Sequence, residues 1–299
     1  MPTRTRDVTL RRGHTLLKGL RLHHLEWGGP DWPPLVLLHG IRAHAYIWSR
    51  AAPYLAPPYR LLAPDFRGHG DSDWSDDGYG TPHYVADFAA WVDAQRLERF
   101  PLVGHSAGGR VAVSYAATRP ERVERLVVVD MGPDVGPTQP FDPVLAARPQ
   151  RTFDDLHHAI RVLRERYPTI DAAYLRRLAR WSVRPGPDGR LTWKWDKRVR
   201  GQMRPADEFR ADLRALRCPT LIVRGGEAAA LSAASAAEMQ ALIPGESHVV
   251  VVPRTSHVLA EERPATFAAV VREFLSGAAE PTDNAAAVGL GVTPDGGGA

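Results

Sequence analysis

Cysteine is almost missing from this chain. Cys218 is the only one in 299 residues, so no disulfide can close within the chain and no thiolate metal site can be assembled. It stands before Pro219 at the entry to an apolar strand, where a buried structural thiol is expected. Lysine is scarce as well, occurring only at Lys18, Lys194 and Lys197, although Lys and Arg together number 38 against 34 Asp and Glu, for a formal charge of +4. The basicity is therefore an arginine bias. The arginines are scattered and not interleaved with aromatics, which argues against a nucleic-acid partner. Long apolar runs are absent too: none approaches the ~18 residues of a membrane-crossing helix. The charged start, Met1 to Asp7, leads into no apolar signal-peptide core, and the sequence predicts a soluble, cytoplasmic protein. At 44% hydrophobic and 24% charged residues the composition is that of an ordinary globular chain, long enough for one large domain with an insertion or for two domains.

What is present is organised around Arg99-Phe100-Pro101-Leu102-Val103-Gly104-His105-Ser106-Ala107-Gly108-Gly109-Arg110-Val111-Ala112. An apolar run breaks at a serine flanked by glycines and resumes with helical periodicity, which predicts strand, sharp turn and helix with Ser106 at the apex. The small residues Gly104 and Gly108 let strand and helix approach closely enough to hold that turn. The serine hydroxyl is pushed outward, and the free N–H groups of the helix start favour an anionic oxygen beside it. A bare G-x-S-x-G is weak, because most such matches are ordinary turns; its context has to decide.

The context repeats a strand-helix alternation. Val8 to Leu10, Leu20 to Trp27, Pro34 to Leu38, Arg60 to Pro64 and Val123 to Val129 read as strands, several of them continuous apolar runs of the kind covered on both faces. Helices are expected over Tyr84 to Gln95, after Ser106, and over Ser232 to Leu242 and Pro264 to Leu275, with further strands at Pro219 to Val223 and His248 to Val252. Polar residues collect where strands end, at His39-Gly40-Ile41-Arg42, Asp130 and His257, and in an open α/β sheet ligands gather on that side. His257, on the loop after the last strand and at the same edge as Ser106, is the candidate general base. Asp130 reads equally as a functional carboxylate or a turn cap. His69, between two glycines and without a partner at metal-ligand spacing, reads as structural. The acidic run Asp71, Asp73, Asp76, Asp77 lacks the glycine and ligand positions of a calcium loop and reads as a solvated surface loop.

From Pro133 to about Arg217 the alternation stops. Amphipathic patterns over Phe153 to Tyr167 and Ile170 to Trp181, followed by the turn cluster Val183 to Arg190, predict an inserted helical cap. Trp181, Trp193, Trp195 and Met203 supply large apolar side chains. Trp193 and Trp195, two residues apart, would face one way in an extended segment. Together with Trp48, the three tryptophans are the candidate substrate-binding residues. His157 and His158 are expected to be exposed. The Ala, Gly and Pro-rich stretch from Gly277 is expected to be disordered.

These pieces resemble the α/β-hydrolase superfamily over roughly residues 8 to 276: the His39-Gly40 turn, the Asp65-x-Arg67-Gly68-His69-Gly70-x-Ser72 loop, the Gly104-His105-Ser106-Ala107-Gly108-Gly109 elbow and the His257 loop. The resemblance implies an α/β fold with a mostly parallel eight-stranded sheet flanked by helices. It divides the chain into a core of 8–133 and 216–276, a cap of 134–215 and a tail of 277–299. It makes Ser106 the nucleophile, His257 its base, and the amides of Ile41 and Ala107 the oxyanion hole. A serine at the elbow, in place of aspartate, points to acyl chemistry, and the expected substrate is the carboxylic ester or lactone of a medium-sized, partly apolar compound. Carbon–carbon bond hydrolysis of a diketone-like compound, or a non-catalytic ligand receptor, are the alternatives on the same fold. No metal or organic cofactor is implied. One departure matters. The triad acid often follows the seventh strand, in a pattern similar to Arg224-Gly225-Gly226-Glu227 with aspartate two residues on, and this chain has Ala229 there. Some branches place the acid after the sixth strand, where Asp130 stands. Asp130 is the first choice and Glu227 the second.

Overall fold

The computed structural model describes residues 8–133, 152–199 and 205–277. Its strands, in chain order, are β1 (Leu10–Leu17), β2 (Leu20–Trp27), β3 (Pro34–Leu38), β4 (Arg60–Pro64), β5 (Phe100–His105), β6 (Val123–Val129), β7 (Thr152–Phe153), β8 (Val183–Pro185), β9 (Leu191–Trp193), β10 (Thr220–Gly225) and β11 (Ser247–Val252). Eight of them form one sheet in the order β1-β2-β4-β3-β5-β6-β10-β11. β2 runs antiparallel to both β1 and β4, and the remaining neighbours are parallel.

The central strands are apolar on both faces because both faces are covered. Val36, Leu38, Leu102, Leu126, Val128 and Ile222 pack with Phe88 and Trp91 of helix Thr81–Ala94, Val111 and Tyr115 of helix Ala107–Thr118, and Phe209 and Leu213 of helix Ala206–Ala215. The alternate residues Leu35, Leu37, Val103, Val127, Val129, Leu221 and Val223 point the other way, onto Trp48, Leu55, Phe267 and Phe274. Because β4, β3, β5, β6, β10 and β11 run parallel, their carboxyl ends lie at one edge of the sheet.

One strand departs from the sequence expectation. β1 covers Leu10–Leu17 and not Val8 to Leu10, joined to β2 by a tight turn in which Lys18 and Gly19 both have positive φ, 46° and 88°. It is a sheet edge whose Arg11, Arg12 and His14 are exposed, so it carries no apolar run to read.

Residues 152–199 lie against the loops that follow β3 and β11. Helices Leu156–Arg166 and Ala172–Ser182 are each capped by an aspartate, Asp155 accepting from the His158 N–H and Asp171 from the Tyr174 N–H, both at 2.8 Å. They share an apolar cluster of Phe153, Leu163, Tyr174, Leu175 and Leu178. The segment is not purely helical. The turn cluster after Val183 closes a hairpin of β8 and β9, and β7 adds a third strand. Its attachments to the sheet domain include polar ones: Tyr79 Oη donates to Asp196 at 2.7 Å, Arg50 meets Asp171 at 3.0 Å, and Thr169 Oγ1 donates to Glu262 at 2.6 Å. The acidic loop expected to be merely solvated takes part, with Asp71 held by Lys194 at 2.5 Å and Asp76 by Arg198 at 2.6 Å. The opening stretch of the expected cap, Met203 and the expected tail beyond Gly277 lie outside the described residues.

Candidate active site

Four strand ends supply the site. β5 ends one residue before Ser106, whose φ of 55° and ψ of −125° lie in the strained region of a strand-to-helix elbow. The reason for its glycines is steric. A Cβ on Gly104 would stand 2.4 Å from the Gly108 carbonyl oxygen, and one on Gly108 would stand 2.6 Å from the carbonyl oxygens of Leu38 and His39. Each clash is with backbone, which cannot swing aside. Gly104→Ala is therefore expected to cost about 3 kcal/mol or more in denaturant unfolding. Gly245→Ala, where a Cβ meets nothing within 4 Å, is the control and should stay within about 0.5 kcal/mol.

The turn after β3 lies beside Ser106. It is fixed by buried His39, whose Nδ1–H donates to the Gly40 carbonyl at 2.7 Å while Nε2 accepts from the Phe66 N–H at 3.0 Å. Gly40 lies against Ser106, its Cβ position 3.0 Å from Ser106 Cβ and 3.4 Å from Ser106 Oγ. The next residue is Ile41. Ala107 opens the elbow helix, so its N–H is one of those a helix leaves without an internal acceptor. Of the six non-glycine residues with positive φ among the described residues, Arg42, Ser106, Asp130 and Arg254 fall in these strand-end loops. Backbone strain is concentrated where the polar groups converge.

β6 ends at Asp130, fully buried, with its Oδ1 accepting from the Gly225 N–H at 3.4 Å. The loop after β11 carries His257, and the His257 Nδ1–H donates to Asp130 Oδ2 at 2.6 Å. The loop is seated by Gly225, whose Cβ position is 2.4 Å from the Ser256 carbonyl, and by the Ser256 N–H donating to Glu262 at 2.6 Å. Burial pushes the Asp130 carboxyl up to about 7, against the opposing influence of His105, the Gly225 N–H and Arg224. Burial also lowers His257, with a smaller contribution from Arg166, and keeps the ring neutral. Glu227, the second choice for the acid, is exposed, and its N–H donates to the Thr255 carbonyl at 2.9 Å. His105 is drawn in by the fold alone: its Nε2–H donates to the His257 main-chain carbonyl at 2.8 Å. A contact across 152 positions leaves no local pattern to find.

The tryptophans disperse. Trp48 is fully buried, with Phe267 and His105 against its ring. Its flanking residues Ala45 and Ile47 are apolar too, which marks a core segment. Trp181 stacks on Tyr46 at 4.5 Å and Trp193 meets Phe153 edge-on at 4.6 Å. Trp195 lies past the end of β9 beneath the Arg42 guanidinium, 4.7 Å from its ring. Trp193 and Trp195 therefore do not share a face, because the strand ends between them. His23, Asp65 and Asp71 place ligand atoms within 4.8 Å of one another. Their lone pairs are already engaged, however: Asp65 accepts from His23 Nδ1–H and the amides of Ala45 and Asp71, and Asp71 pairs with Lys194. Burial alone would raise Asp65, but His23 and His39 hold its carboxyl well below the usual range. It is a structural hub for the loop after β4.

The family model described as "Alpha/beta hydrolase family" matches residues 35–270. The chain belongs to that family. It is 32% identical over 250 residues to 2-(acetamidomethylene)succinate hydrolase of Mesorhizobium japonicum, covering 81% of this chain and 88% of the relative. It is 27% identical to esterase Rv0045c of Mycobacterium tuberculosis, over 84% of this chain and 85% of that one. Among solved structures, an E-2-(acetamidomethylene)succinate hydrolase superposes with a TM-score of 0.80 at 29% identity, covering 90% of this chain and 100% of the other. No helix among the described residues is long and apolar enough to cross a membrane.

Proposed function

We propose that this chain is a cytoplasmic serine hydrolase that cleaves a carboxylic ester or lactone of a medium-sized, partly apolar substrate, with residues 134–215 as its cap. The observation that carries the reading is the 2.6 Å hydrogen bond from His257 to the buried Asp130 carboxylate. It fixes the tautomer in which Nε2 carries the lone pair, the form that removes a proton from serine. In the first step Ser106 Oγ attacks the carbonyl carbon as His257 Nε2 takes the hydroxyl proton. The carbonyl π pair moves to oxygen, facing the amides of Ile41 and Ala107, each donor worth about 3 kcal/mol in such sites. Collapse expels the alkoxide, which receives the proton from His257 and leaves an acyl-Ser106. Water, deprotonated by His257, then releases the acid.

The reading is tested with p-nitrophenyl esters of increasing chain length, a lactone panel, a β-diketone and 2-(acetamidomethylene)succinate, the last because a relative carries its name. Ester or lactone turnover with a chain-length optimum is expected. Turnover of the diketone alone would overturn the ester assignment, and saturable binding without turnover would favour a receptor. On the best ester, kcat/KM should fall as pH drops through a single step near 7. The raised Asp130 pKa means that its carboxylate takes up a proton there and loses the negative charge that stabilises the His257 imidazolium.

A further inference from the structure

We propose that His105, the residue before the nucleophile, is a positioning residue for His257: its Nε2–H pins the His257 main-chain carbonyl and its ring backs the His257 imidazole. The segment that carries the nucleophile would thereby also fix the base. The inference rests on the serine-hydrolase reading of the site.

The hydrogen bond settles which nitrogen of His105 is protonated. A carbonyl only accepts, so Nε2 is the N–H, at 2.8 Å from the His257 oxygen, and Nδ1 is a bare lone pair. That Nδ1 is buried and has no hydrogen-bond partner among the described residues. A leucine would fill the same volume without a stranded polar atom, so the histidine is a poor choice for packing alone. What it adds over leucine is the Nε2–H.

The ring is also locked. Trp48 meets it edge-on with centroids 6.4 Å apart, and the Gly40 turn backs Nδ1, a Cβ there standing 3.3 Å away. On the remaining side the His257 imidazole lies with centroids 4.5 Å apart and planes tilted by 38°. When His257 takes the serine proton it becomes a cation, and a neutral aromatic ring at that distance supports it whereas a charged one would repel it. Burial, with the neighbouring His257 as a smaller cause, pushes His105 down to about 3. It therefore stays neutral through the cycle.

The test compares three variants on the best ester: His105→Leu, His105→Gln and His105→Asn. Glutamine places an amide N–H near the position of Nε2, whereas asparagine is too short. The Leu and Asn variants are expected to lose about 30-fold in kcat with KM within twofold, and Gln to recover to within about threefold of the parent. Gln and Asn are both polar amides, so the comparison holds even if the Leu variant fails to fold. Equal activity of Gln and Asn would overturn the inference, as would kcat within threefold of parent for Leu, or a rise in KM at constant kcat. A folded parent with neither turnover nor fluorophosphonate labelling would instead overturn the underlying serine-hydrolase reading.

Discussion

The double variant Ser106→Ala/Asp130→Asn is expected to be no slower than Ser106→Ala alone. Ser106→Ala should lower kcat by about 10⁶-fold and Asp130→Asn by about 10⁴-fold, the magnitudes seen when members of a comparable triad are removed singly. Independent contributions would multiply. They do not multiply here because Asp130 acts only through His257, and His257 acts on the serine proton. With Ser106 gone there is no proton to move. The asparagine variant retains the volume but cannot hold the required tautomer, since its amide N–H₂ can donate to Nδ1 and force the proton onto Nε2. Glu227→Gln, at an exposed position, should leave kcat within twofold. Steady-state kinetics on one activated ester measures all four proteins. A large loss in Glu227→Gln with a small one in Asp130→Asn would move the acid to β10.

The second large effect is loss of the fold in acid. His24 and His44 are pushed down to about 4 and His69 and His105 to about 3, chiefly by burial, and His39 is lowered for the same reason. In the unfolded chain each titrates near its ordinary value of about 6.5. A folded pKa below the unfolded one means the unfolded state binds more protons, so stability is complete above about 6.5 and is lost as pH falls. By pH 5 each of His24, His44, His69 and His105 costs about 2 kcal/mol, and His39 adds to this in the same direction. Two buried carboxyls act in the opposite sense. Asp130 is raised to about 7 and Glu261, against Tyr174 Oη at 3.3 Å, to about 8, both mainly by burial. They hold protons in the folded state and recover stability between pH 7 and 5, about 3 kcal/mol each. Below pH 5 the unfolded carboxyls protonate as well, and that compensation stops growing while the histidine cost still rises. Against a typical total of about 5–15 kcal/mol, unfolding is expected between pH 5 and 4. Circular dichroism against pH at low ionic strength, with proton uptake followed by titration, measures it. A fold intact at pH 3.5 would show that these histidines are not held neutral.

How much was legible in advance depended on how local each signal is. The sheet could be read because strands buried on both faces are written as continuous apolar runs. β1 could not, because an edge strand with Arg11, Arg12 and His14 facing solvent has no such run. The elbow is written in the spacing of Gly104, Ser106 and Gly108, since the clash each glycine avoids lies within a few residues or on the adjoining strand. The acid was ambiguous because Asp130 and Glu227 both stand at strand ends. The observations that favour Asp130 are burial and a partner 127 positions away, which no window of sequence contains. Trp48 shows a related difficulty: a large aromatic fits a core and a pocket equally well, and its burial against Phe267 is not written in the local sequence.

The central claim is that Ser106 is a nucleophile activated through His257 and Asp130, and the most direct measurement is covalent capture. The folded parent is treated with a fluorophosphonate and its adduct located by peptide mass spectrometry. The account predicts one stoichiometric adduct, on the peptide carrying Ser106, absent in Ser106→Ala and slowed by orders of magnitude in Asp130→Asn. A parent that stays unlabelled, or an adduct on a different residue, would contradict it.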